Sequence, residues 1–186
     1  MTRNAIVVLI VVSLGCVGCM RAVSEGLGEV RGASGIVMPI EPPSTTVNPN
    51  QLAEYRCFVL GEIRDDIGGR LSREFLPLLR SEFKERLAAK KLPTQSGGKT
   101  LLIRGQIIHY EDVGTVGTVV SPLEEVICRT EFVDQSSNRV VAVVNCIGRT
   151  NTSLNRGVKT KAEGLAKAFV SWIDKRYPRA GRPENE

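Results

Sequence analysis

Histidine is almost absent, with His109 the single one among 186 residues, and a Ser–His–acid triad or a zinc site would have to be built around it. The thiols that could join it, Cys57, Cys128 and Cys146, stand at no spacing used by metal motifs. His109 therefore reads as a solvated strand-end residue, and neither a metal nor a cofactor is expected. Missing too is an uninterrupted apolar run of about 20 residues, the length that crosses a bilayer as a helix. The uncharged stretch near the start ends by Met20 and contains Gly15 and Gly18. Charge of one sign is not gathered anywhere either. The 25 basic and 20 acidic residues give a net charge of +5, but they are interspersed, as in Arg80-Ser81-Glu82-Phe83-Lys84-Glu85-Arg86. That pattern describes a solvated helix face rather than a basic, aromatic-lined nucleic-acid surface, so no nucleic-acid partner is expected. No internal repeat is present.

What is present begins at the amino terminus. Arg3 is followed by an apolar run from Ala5 to Leu14, the layout of a secretory signal. The run ends in Ser13-Leu14-Gly15-Cys16, which resembles a lipobox, with Cys16 as the residue to be acylated and Cys19 as the alternative. Removing residues 1–15 takes away Arg3 alone, so the remaining chain stays mildly basic. Two or three acyl chains would hold it firmly on its membrane, since each buried CH₂ adds about 0.8 kcal/mol. Val17 rather than Asp after the cysteine suits the periplasmic face of the outer membrane under the sorting rule of enteric bacteria. Residues 16–50 are rich in Gly, Pro, Ser and Thr, with Pro39, Pro42, Pro43 and Pro49, and read as a flexible tether. Residues 51–177 form a single domain, and 178–186 a disordered tail.

Within that domain the spacing predicts a strand over Tyr55 to Ile63, then a helix over Arg70 to Lys90. The helix places Leu71, Phe75, Leu78, Leu79, Phe83 and Leu87 on one stripe. Pro77 inside it demands either a kink or a true start near Leu76. A second strand, Thr100 to Tyr110, follows a single helical crossover, which favours parallel pairing with the first. Glu125 to Val133 and Arg139 to Ile147 flank the turn formers Asp134 to Asn138 and read as a hairpin. Centring the turn on Ser137 sets Phe132 opposite Ala142, Thr130 opposite Val144 and Cys128 opposite Cys146. One face then collects Val126, Cys128, Phe132, Val140, Ala142, Val144 and Cys146. The other mixes Arg129, Glu131 and Asn145 with Ile127, Val133, Val141, Val143 and Ile147. A last helix, Lys159 to Arg176, presents Ala162, Leu165, Ala166, Phe169, Trp172 and Ile173 to the apolar face. The order β-α-β-β-β-α implies an α+β, two-layer domain: a mixed sheet of about four strands with two helices packed on one face.

The lipobox at Cys16, the strand Leu101-Leu102-Ile103-Arg104-Gly105-Gln106-Ile107 with its Tyr110-containing turn, the hairpin from Phe132-Val133-Asp134 to Asn138-Arg139-Val140-Val141 and the last helix together resemble a family of uncharacterised bacterial lipoproteins. That family, a domain of unknown function, is related to the curli-secretion (CsgG-like) and TolB amino-terminal α/β modules. The resemblance covers residues 51–177 and implies a cell-envelope location and an adaptor or assembly role without enzymatic activity. The loop Val113 to Val119 lacks the aromatics of the family pattern.

Other constellations read as structure. Gly97-Gly98-Lys99-Thr100 is preceded by a helix and followed by a strand, the reverse of a phosphate loop, and is a turn. Asp65-Asp66 and Glu124-Glu125 read as solvated carboxylates. Cys128 and Cys146 could be bridged, because directly opposed strand residues approach within disulfide range and an exported protein meets an oxidising compartment. The functional expectation is a lipid-anchored binding or assembly module with an envelope protein partner. The alternatives are an envelope hydrolase, which needs a cleft of converging acids, or a ligand-binding module using the mixed sheet face or the Val113 to Val119 loop.

Overall fold

A computed structural model describes residues 33–40, 48–95, 97–111, 124–150 and 157–179. The elements run β1 (Ala33–Pro39), β2 (Tyr55–Asp65), α1 (Phe75–Ala89), β3 (Lys99–Tyr110), β4 (Glu125–Asp134), β5 (Arg139–Thr150) and α2 (Val158–Asp174). The five strands form one mixed sheet in the order β1-β5-β4-β3-β2. β2 and β3 pair in parallel across the α1 crossover, and every other pair is antiparallel. The domain is thus α+β, with five strands rather than the expected four.

The additional strand lies inside the stretch expected to be tether. Its Gly and Pro content signals a linker, but Ile36 and Met38 alternate with Gly35 and Val37, and β5 extends to Thr150 to receive them. Pro39 closes the strand at the sheet's edge, where a missing amide costs no ladder bond. Both helices share one face. α1 begins at Phe75, so Pro77 falls in the first turn, where backbone amides have no partner to lose, and the first helical bond runs from Leu78 N to Glu74 O.

Between helices and sheet lies one apolar cluster. Phe75, Leu79, Phe83 and Leu87 of α1 and Leu165, Phe169, Trp172 and Ile173 of α2 meet Leu101, Ile103, Ile107, Val126, Cys128 and Phe132. Each of these large side chains contributes roughly 1.5–3 kcal/mol by leaving water. Trp172 stacks on Phe132 with ring centres 3.7 Å apart and planes 12° from parallel, which fixes α2 over β4. Over β1 and β5 the helix comes closer still. A Cβ added to Gly164 would lie 2.7 Å from Ser34 O and 2.9 Å from Gly148 Cα, and one added to Gly35 would lie 2.6 Å from Gly164 O. Three glycines thus let α2 rest on the backbone of the sheet.

The hairpin register matches the expectation at Phe132–Ala142, Thr130–Val144 and Cys128–Cys146, but a bulge shifts it beside the turn, where Val133 pairs with Val140. Val140 therefore leaves the core face and stands 44% exposed. A turn-centred count cannot foresee a bulge, which inserts one residue on one strand only.

Candidate functional site

No helix among the described residues lies on the second face of the sheet, so the register shows what that face presents. One row across the strands reads Arg64, Gln106, Arg129, Asn145 and Met38. The row beside it has Glu62 at a β2 bulge, then Arg104, Glu131 and Val143. Beyond the first row come His109, Ile127, Ile147 and Ile36, and beyond the second Val59, Leu102, Val133 and Val140. Two charged rows are therefore framed by two largely apolar ones. Glu62, Arg64, Arg104, Gln106, Arg129 and Glu131 line an open groove of about 340 Å³. Arg104 reaches Glu131 at 3.2 Å, whereas Arg64 and Arg129, both exposed, make no ion pair among the described residues.

At the hairpin end, buried Asp134 is the hub of a network. Its Oδ2 accepts from the Tyr55 hydroxyl at 3.0 Å and faces Lys99 Nζ at 2.8 Å, while its Oδ1 accepts from Ser136 Oγ and from the Ser136 and Ser137 amides. The hydrogen bond from Lys99, joined by those of the turn, holds the Asp134 carboxyl far below the usual carboxylate range. Burial, with the bond to Asp134 second, pushes the Tyr55 hydroxyl up to about 12. Lys99 is raised in turn, first by its bond to Asp134. These shifts come from groups that satisfy one another, which marks a structural clasp of β2, β3 and the hairpin rather than a reactive centre.

At the opposite end Lys161 of α2 is fully buried, its Nζ 2.5 Å from Glu111 O, 3.3 Å from Glu124 Oε2 and 4.1 Å above the Tyr110 ring. Glu124 is itself only 4% exposed and accepts from the Gly157 amide at the start of α2, where an anion is favoured. The Glu124 amide bonds Thr150 Oγ1, and the Thr150 amide returns to Glu124 O. The expectation of a solvated Glu124 is corrected: the Lys161 amine compensates its charge in the interior. Nothing in local sequence joins two residues that far apart. Glu125 meets Arg149, and Asp65 accepts from the Ile67 and Leu71 amides, so neither is an idle surface acid.

With this geometry in place, the chain can be set against known proteins. It matches no protein-family model and no curated protein. Among solved structures it is similar to the PelC dodecamer from Paraburkholderia phytofirmans, with 12% identity, 79% of this chain and 99% of that one covered, and a TM-score of 0.47. It is also similar to a minor lipoprotein from Acinetobacter baumannii, at 12% identity over 61% of this chain and 91% of that one, TM-score 0.34. A PDZ domain protein from Parabacteroides distasonis gives 13% identity, 83% and 39% coverage, and a TM-score of 0.39. At these scores and identities none of them bears on function.

Cys16 and Cys19 lie outside the described residues, as do Val113 to Val119 and the tail from residue 180 on. Cys128 and Cys146 are brought face to face, both fully buried, and both are free thiols in this structure. Burial pushes the Cys128 thiol up to about 11 and raises Cys146 as well. His109 is half-exposed, with Glu111 3.5 Å away. Among the described residues no three His, Cys, Asp or Glu side chains converge, and no helix is long and apolar enough to cross a membrane.

Proposed function

We propose that this protein is an envelope lipoprotein, exported by residues 1–15, acylated at Cys16 and held at the periplasmic face of the outer membrane, which binds another protein through the open face of its sheet and performs no chemistry of its own. It would belong with the uncharacterised lipoproteins related to CsgG-like and TolB modules. The observation that carries the binding reading is the second sheet face, on which no described helix lies, with two charged rows between two largely apolar ones of which Val59, Val140 and Ile36 are exposed. An interface needs such a pattern, in which apolar contact supplies area and charge supplies orientation. The reading without catalysis is supported by the acids: Glu124 and Asp134 are committed to internal partners, while Glu62 and Glu131 stand among arginines on an open surface.

Two measurements test it. Cells fed a labelled fatty acid should mark the protein, Cys16→Ser should abolish the mark, and Cys19→Ser should keep it; an unlabelled wild-type protein refutes the anchor. A photo-reactive amino acid at position 106 should capture protein in intact cells, whereas one at exposed Lys84 on α1 should not. Equal capture at both positions refutes the open face as the binding surface.

A further inference from the structure

The groove on the open face leaves Arg64 and Arg129 without carboxylate partners, and Glu62 is likewise outside any ion pair among the described residues. The two charged rows are offset by two residues along each strand, and their signs are opposed in the β2 and β4 columns. On β2, Glu62 neighbours Arg64; on β3, Arg104 neighbours Gln106; on β4, Glu131 neighbours Arg129. A two-fold axis lying in the plane of the face, across the strands and midway between these rows, keeps every column and exchanges the rows. Each Glu62 then meets Arg64 of a second copy, each Glu131 meets Arg129, and Arg104 meets Gln106.

The same operation carries the outer rows onto each other. Ile127 comes to the Val133 position, which is itself fully buried, and Leu102 comes to the β3 bulge that holds exposed Ile108 and half-exposed His109. Opposite charges therefore meet in the β2 and β4 columns, while Arg104 meets Gln106 and Val143 meets Asn145 in the columns of β3 and β5. The alternative two-fold, running along the strands through β4, would set Arg129 on Arg129 and Glu131 on Glu131. The axis across the strands avoids these like-charge contacts.

The area suffices as well. Five strands at about 4.8 Å spacing and about ten residues of strand at about 3.4 Å give a face of roughly 800 Å², which is about what each partner buries in a stable interface. Sheets stacked face to face lie about 10 Å apart, a gap that an arginine and a glutamate reaching toward each other can bridge. From this complementarity we infer that the open face is occupied by a second copy of this chain, giving an isologous two-fold dimer of stacked sheets. The inference rests on the open face being the binding surface and names its occupant; it does not depend on the lipid anchor.

The test is sedimentation velocity of the purified full-length protein in excess nonionic detergent micelles, at low and high salt, with charge swaps at exposed positions. The wild type should dimerise at micromolar concentration and dissociate as salt rises. Arg64→Glu should weaken the dimer at least about tenfold, because two cross-copy pairs become two repulsions. Glu62→Arg together with Arg64→Glu should restore it. A monomer at every concentration, a dimer indifferent to Arg64→Glu, or a double variant no better than the single one overturns the inference. A heterologous protein captured from position 106, with the chain itself monomeric, would overturn the dimer and leave the open face as the binding surface.

Discussion

Replacing Gly164 by alanine sets two effects of known size against each other. In the interior of an ordinary helix the change would stabilise by about 1 kcal/mol, since glycine spends more backbone entropy than alanine. Here the new methyl would lie 2.7 Å from Ser34 O and 2.9 Å from Gly148 Cα, and both neighbours are backbone atoms that cannot rotate away. Overpacking of a tight contact costs about 1–3 kcal/mol, and rigid neighbours place this case at the upper end. The sum is a net loss of about 1–2 kcal/mol. Urea unfolding followed by far-ultraviolet circular dichroism should therefore show a lower midpoint at an unchanged slope. Gly35→Ala should behave alike, because its methyl would lie 2.6 Å from Gly164 O. The double variant should lose less than the two single losses together, since lifting α2 once relieves both contacts. An unchanged or raised midpoint for Gly164→Ala would mean that α2 does not rest on β1 and β5, and would undo the place of β1 in the sheet.

The remaining expectations concern buried polar groups. Because the folded Asp134 carboxyl sits below its unfolded value, the stability it confers is complete above roughly pH 4 and is lost as pH falls further; Asp134→Asn should flatten that acid limb in pH-dependent melting, and an unaltered limb would refute the clasp. Tyr55 is the mirror case, its folded value of about 12 standing above the unfolded one near 10, so its contribution is complete below roughly pH 10 and fades as pH rises toward 12; Tyr55→Phe should remove that alkaline dependence. Lys161→Met strands the Glu124 carboxylate in the interior and should cost about 3–5 kcal/mol, whereas Lys161→Met with Glu124→Gln should recover much of it; denaturant melts of both variants decide the point. Cys128 and Cys146 should resist alkylation in the folded protein and appear as thiols in non-reducing peptide maps, and a peptide linking 128 to 146 would refute this.

How much of this was legible in the sequence depends on the range of the signal. Period-two alternation along Leu101 to Ile107 and the 3.6-residue stripe of α2 gave elements whose limits fall within a few residues of those found. The parallel pairing of β2 with β3 followed from one crossover helix, and the Cys128–Cys146 pairing from one turn. β1 was illegible because its signal is a partner: Gly35 resembles linker composition until Gly164 is seen to need its missing side chain. Lys161 and Glu124 were missed for a related reason. A lysine on the stripe of an amphipathic helix looks like a boundary residue, and only the fold brings the acid at the start of β4 onto it. The mixed character of the second sheet face was readable by parity alone, but which rows neighbour which required the register of all five strands.

The dimer and the anchor, proposed on separate grounds, constrain each other. Two copies held by lipid in one membrane can be related by a two-fold axis only if that axis stands along the membrane normal. The axis that matches the charged rows runs across the strands, from the β2 edge to the β1 edge, and so leaves both β1 strands at the same end of the dimer. On the proposed reading β1 is also where the anchored segment would enter the sheet: from Cys16 to Ala33 the chain can span at most about 60 Å whatever its conformation. Had the domain begun at residue 51, as composition suggested, the tether would have doubled in length and fixed no edge toward the membrane. The competing axis along the strands would place one β1 edge at each side of the assembly, where a membrane containing that axis as its normal would meet strand ends instead. The edge residues agree with the first arrangement. β2 has its outer carbonyls at Leu60 and Gly61 occupied by the Arg80 guanidinium, as suits an edge facing water.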